Sequence, residues 1–268
     1  MFELGVYRRL VLASLRSQMQ YRTSFLLDLF STAFTTATEF ASFALVFSRF
    51  GSIHGWSIGE VAFLYGLVEL SFGIMDMLFS GFDPDRFGPY VREGKLDQFL
   101  LRPVSLGVQV LGADFLLKRL GRIALGSGIF LYAVSAAQVE WTPAKLAYLP
   151  LVVLGMVLFF GGLFMIGSTL TFWTAQSLEA MNTLTYGGSF LVSYPFTIYP
   201  DWLRHTFTYL VPAILLNYYP ALWFLGKPDP FGFPPFAPFL APVAGLVVFT
   251  AAAAFWSYGL RHYQSTGS

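Results

Sequence analysis

Four carboxylates stand inside long apolar stretches of this chain: Asp28, Glu39, Glu69 and Asp76. Asp28 and Glu39 are eleven residues apart and Glu69 and Asp76 seven apart, so each pair returns to nearly one face of a helix at 3.6 residues per turn. Such pairs suit proton relays or ion-coupled transport, and a charge at the centre of a bilayer costs roughly 2.5–3.5 kcal/mol on insertion scales. Glu39, Glu69 and Asp76 are therefore candidates to line a transport path or a subunit interface. The structural alternative for Glu39 and Glu69 is a protonated acid bonded to neighbouring hydroxyls, and Ser31, Thr32, Thr35, Thr36 and Thr38 could serve. Asp28 and Asp76 sit nearer the ends of their stretches, where water or Arg22 could meet them.

Other chemistry finds little support. The three histidines, His54, His205 and His262, form no H-x-x-x-H or H-E-x-x-H pair, so no metal-hydrolase signature is present. Nothing places a Ser, His and Asp together. The strings GKLD and GKPD lack the leading glycine and the Ser or Thr of a phosphate-binding loop, so any ATP hydrolysis is expected on a separate polypeptide. With no cysteine, disulfides and thiolate sites are excluded. A net charge of +1 points to no acidic partner, and so to no nucleic acid. No catalytic, cofactor or metal residue is assigned.

The elements that must position the carboxylates follow from composition. Of 268 residues 56% are hydrophobic and 12% charged, about half the charged share of a soluble domain. The expected fold is an all-α polytopic membrane protein. Six spans are predicted, at 24–48, 59–82, 117–138, 146–172, 180–199 and 237–260. Residues 1–22 carry Leu4, Tyr7, Val11, Leu15 and Met19 on one helical face, with Arg9, Arg16 and Gln20 opposite. This predicts an interfacial helix rather than a cleaved leader, preceding a single six-span domain over 23–268.

Lys and Arg set orientation. With the N-terminus inside, twelve of the 16 basic residues fall on the cytoplasmic side and four (Arg49, Lys145, Arg204 and Lys227) outside. Both termini are then cytoplasmic, and so is the loop over 83–105. There REGKLDQFLLRP, residues 92–103, carries five charges in twelve residues. Gly94 is expected to start a short helix and Pro103 to stop it. Leu96, Phe99 and Leu100 fall at i, i+3 and i+4, with Lys95, Asp97 and Gln98 on other faces. That stripe would either rest on the membrane or the chain's own helix ends, or dock a separate protein, burying about 4–9 kcal/mol of apolar surface at most.

GKLDQFLLRP resembles the cytoplasmic loop of permease subunits in exporter-type ABC transporters of the type-2 fold. SYPFTIYPDWLRHTFTYLVPAILLNYYPALWFL, residues 193–225, is similar to the segment before the last span in one bacterial branch of that family. The resemblance implies six spans, an N-terminal interfacial helix, and a coupling helix in the first cytoplasmic loop, with Gly94, Lys95, Leu96, Asp97, Phe99, Leu100, Arg102 and Pro103 facing an ABC ATPase. It implies ATP and Mg on that partner, a second permease subunit (the same or a different chain), and a bacterial inner membrane. The substrate would be hydrophobic or amphipathic, drug-like or lipid-like.

The prolines of 193–225 cut that segment into pieces too short to cross, while Trp202, Tyr209, Tyr218, Tyr219 and Trp223 suit a membrane interface. A re-entrant external hairpin over 200–226 is expected, with Pro195, Pro200, Trp202, Pro212, Tyr218, Tyr219 and Pro220 as an external gate, then a proline-rigid linker over 226–238. The rival from another class is a proton-coupled secondary transporter using Glu39 and Glu69. Internal symmetry would favour it, and none is evident. A lipid-modifying membrane enzyme lacks the histidine and metal motifs.

Overall fold

The computed structural model describes residues 2–174 and 179–264. Helix α1 (Phe2–Gln20) precedes α2 (Arg22–Phe50), and a two-residue β-hairpin (Ser52–Ile53 with Trp56–Ser57) turns the chain into α3 (Ile58–Phe79). A capping box starts α3: the Glu60 amide donates to Ser57 Oγ at 3.3 Å and the Ser57 amide to Glu60 Oε2 at 2.8 Å, satisfying two orphan donors. After a 3-10 turn at Ser80–Phe82, Asp83 accepts from the Asp85 amide and opens α4 (Pro84–Arg92). Helices α5 (Lys95–Leu100) and α6 (Leu106–Ala113) lead to α7 (Leu120–Ala136) and α8 (Pro143–Thr174).

Beyond the undescribed 175–178, a helical stretch runs from α9 (Glu179–Asn182) through a π-helical turn into α10 (Gly188–Val192). Short pieces follow, including α11 (Asp201–His205) and α12 (Tyr218–Leu225), before α13 (Ala241–His262).

Four described segments are long and apolar enough to cross a membrane: 22–50, 58–92, 143–174 and 241–262. The predicted third and fifth spans correspond to shorter stretches, 120–136 and 179–192, below the ~20 residues a crossing needs. Both still run along α3. Gly59, Gly66 and Gly73 of α3 lie against Ala136, Phe130 and Ile123 of α7 in turn. The other stretch reaches from Asp85, bonded to Asn182, to Leu64, which shares Asn217 with Val192.

Helices α8 and α13 pack most closely where Gly155 meets Ala241 and Gly245. A Cβ on Gly245 would sit 2.1 Å from the Gly155 carbonyl oxygen, so only glycine admits this approach, a common device between membrane helices.

The loops sort to two ends. At one, α1, α4–α6 and the chain after α13 gather: Glu3 accepts from the Ser105 amide (3.0 Å) and Tyr263 donates to Asp97 (3.1 Å). At the other, Lys227 bonds the Gly55 carbonyl and Glu60, and Lys145 the Phe224 carbonyl.

The face of α1 that meets the protein is offset from the predicted stripe. Tyr7 and Leu10 lie against Gly112, Ser14 donates to the Phe115 carbonyl, and Gln18 both donates to that carbonyl (2.5 Å) and accepts from the Leu117 amide (3.0 Å). Leu4, Leu12 and Met19 stay exposed.

Candidate functional site

The carboxylates of α3 do not meet hydroxyls. Glu69 is buried, and Arg122 of α7 donates to both its oxygens, Nε at 2.6 Å and a terminal nitrogen at 2.7 Å. The guanidinium also stacks over Phe72 at 4.5 Å. Two turns on, Asp76 is fully buried, with Arg119 Nε 2.7 Å from Oδ2. This second pair is close but poorly aligned, and the two Asp76 oxygens and Arg119 Nε lack hydrogen-bond partners. Three corrections follow. Asp76 does not meet water or Arg22. Arg119 and Arg122, at the start of the predicted span 117–138, pair with these carboxylates, so ten of the twelve basic residues counted as cytoplasmic stand outside the pairs, against four on the other side. And Thr32, Thr35, Thr36 and Thr38 donate to carbonyls one turn back on α2 rather than to carboxylates.

Glu39, exposed at the surface of the chain, accepts from Tyr65 Oη at 3.1 Å. It joins two cavities. A polar one of about 310 Å³ brings Glu39 together with Glu69, Arg119 and Arg122. An apolar one of about 380 Å³ lies between α2 and the turn after α10. Asp28 stands apart, in a cleft with Arg86 and Lys118.

The 92–103 segment folds as expected at its start: Gly94 adopts φ +66°, and α5 begins at Lys95. The helix ends at Leu100, short of Pro103. Its apolar stripe turns inward, a second correction to the docking expectation. Leu96 is fully buried in the chain's own core, and Phe99 packs edge-on against Tyr90 with ring centroids 5.4 Å apart. Short helices need such support. Gln109 ties the Phe99 and Val104 carbonyls, and Arg102 lies 5.3 Å over the Phe99 ring. Outside remain Leu100 and Leu101, the latter 86% exposed, among Arg92, Lys95 and Arg102. Leu101 was not picked out from sequence. Its apolar type in a charged loop was the available signal.

Tyr90 also carries α5 to the rest of the bundle. Its hydroxyl donates to Asp114 (3.2 Å), whose backbone carbonyl takes the Ser80 hydroxyl at the end of α3.

The seven proposed gate residues do not form one cluster. Asp201–Leu210 and Ala213–Leu225 are two helical arms bent 80° apart, with Pro212 in the break. Pro200 caps α11, and Trp202 is 68% exposed. Tyr218, Tyr219 and Pro220 are buried, Tyr218 against Trp56 and Phe196, so these tyrosines are core rather than interfacial. Pro195 lines the apolar cavity. The residue that pins the second arm is Asn217, fully buried, whose amide donates to the Leu64 carbonyl (3.1 Å) and the Val192 carbonyl (2.8 Å).

The family described as ABC-2 family transporter protein matches this chain over residues 33–267. That is most of its 268 residues, so the chain belongs to the ABC-2 transporter family. It is a multi-pass membrane permease, of a family that associates with ABC ATPases. No curated protein matches the chain significantly.

Proposed function

We propose that the chain is one of two permease subunits of an ATP-driven exporter, moving hydrophobic or amphipathic substrates outward by alternating access. Two partner ATPases hold ATP and Mg, and this chain holds neither. The second permease subunit is a copy of this chain or a related one. The end that gathers α1, α4–α6 and the chain after α13 faces the cytoplasm of a bacterial cell, as the ten-to-four distribution of basic side chains supports. The six helical passes read from sequence follow, the short stretches at 120–136 and 179–192 included, with the bent arms over 200–226 as a re-entrant hairpin on the outer side.

One observation carries the coupling: α5 is fixed on one side by Leu96, Phe99 and Gln109 and presents Leu100 and Leu101 on the other. A lever must be anchored to transmit force, and a contact needs exposed apolar surface ringed by charge. Force on α5 would pass through Phe99, Tyr90 and Asp114 to the end of α3 and the start of α7. The Glu69–Arg122 pair weighs against the proton-carrier alternative, since it leaves Glu69 no free site.

Leu100→Asp with Leu101→Asp should lose the ATPase subunit in detergent co-purification, by about 2 kcal/mol or more per anchor if these are hot spots. The variant should insert normally. ATPase retained at the parental level sinks the docking reading. Orientation has its own test, clean because the native chain has no cysteine. Ser52→Cys should react with an impermeant maleimide on intact cells, and Gln98→Cys only after permeabilisation. The reverse pattern would invert the topology.

A further inference from the structure

We propose that the apolar cavity beside Glu39 is a binding site for an organic cation with an apolar body. The inference deepens the permease reading by giving its substrate class, and rests on that reading for the transport role. Phe43 and Phe47 of α2, Val61 of α3, and Tyr194 and Ile198 beyond α10 are among the residues that line a 380 Å³ space, a size within the ~300–1,000 Å³ range of small-molecule sites. Phe43 and Tyr194 stack with centroids 4.3 Å apart, giving a broad aromatic surface of the kind that attracts cations.

Charge decides which apolar molecules fit. Among the described residues, Glu39 is the only charged side chain of the lining. In the adjoining polar cavity, Arg122 is spoken for by Glu69 and Arg119 by Asp76. Counting Asp76, which lies outside that lining, three carboxylates face two guanidiniums, and Glu39 is the one left over. Among the described residues no lysine or arginine pairs with it; its partner is the neutral Tyr65 hydroxyl. A carboxylate in a membrane protein is costly without a counter-charge. A guest that brings one cationic centre to Glu39 and buries its body against the aromatic wall removes that deficit. An anion would add to it, and a neutral guest would leave it.

The test uses the full chain in nanodiscs with radiolabelled tetraphenylphosphonium and, in separate samples, radiolabelled tetraphenylborate, of the same shape and opposite charge. Tetraphenylborate should show no saturable binding, and saturable phosphonium binding is expected. Glu39→Gln, which keeps an acceptor for Tyr65, should weaken it by roughly tenfold or more. Ser42→Lys, one turn along on the same lining, should abolish it with Glu39 intact, by supplying a cation from the protein. Saturable tetraphenylborate binding, or parental phosphonium affinity in both variants, overturns the proposal and leaves an apolar space for an acyl chain or a second subunit. Binding here needs no ATPase. Phosphonium binding without ATP-driven transport would keep the site and fail the exporter reading; ATP-driven transport without phosphonium binding would do the opposite.

Discussion

Glu69→Ala should cost about 3–5 kcal/mol of stability, because it leaves the Arg122 guanidinium uncompensated between α3 and α7. Arg122→Ala should cost a similar amount, adding the lost stacking on Phe72. The informative variant removes both charges. Glu69→Leu with Arg122→Leu should recover most of the loss, since a buried pair replaced by apolar groups is often close to neutral. Thermal unfolding midpoints of the two single variants and the double, in one detergent, give the coupling. If the single losses simply add, the bidentate pair is not holding α7 to α3.

Asn217→Leu is the second large effect expected. The substitution keeps the volume and removes both donors to the Leu64 and Val192 carbonyls. An unsatisfied buried acceptor costs about 1–3 kcal/mol, and Val192 ends α10, so no later turn of that helix replaces the bond. The unfolding midpoint should fall, and the 200–226 arms should become sensitive to limited proteolysis. An unchanged midpoint with unchanged proteolysis would mean that packing of Tyr218 and Tyr219 alone seats the hairpin.

What the sequence made legible was whatever rests on local rules. The helix start at Gly94 follows from backbone chemistry, and the four long apolar helices follow from length. The offset face of α1 did not, because Tyr7 serves both faces and only tertiary contact separates Leu10, Ser14 and Gln18 from Leu4 and Met19. The partners of Glu69 and Asp76 were hidden for a different reason. Arg119 and Arg122 look like ordinary charges at the end of the predicted span 117–138, and only antiparallel packing of α7 on α3 brings them alongside. In hindsight each set lies on one helical face, the carboxylates seven residues apart and the arginines three. The direction of the Leu96 stripe was open on periodicity alone, since an amphipathic turn buries its apolar side against whatever is nearest.

The clasp made by Gln18 has a bearing on how the chain is made. Its amide closes on Phe115 and Leu117, 97 and 99 residues further along. At about 5–20 residues per second, those partners leave the ribosome some 5–20 s after α1 does. For that interval the first helix has no protein surface to rest on. Its exposed Leu4, Leu12 and Met19 give it another place to wait, flat on the lipid, while α2 and α3 are threaded past it. The same helix is thus made well before the segment that locks it, and its two apolar edges divide accordingly, one against Gly112 and one left exposed.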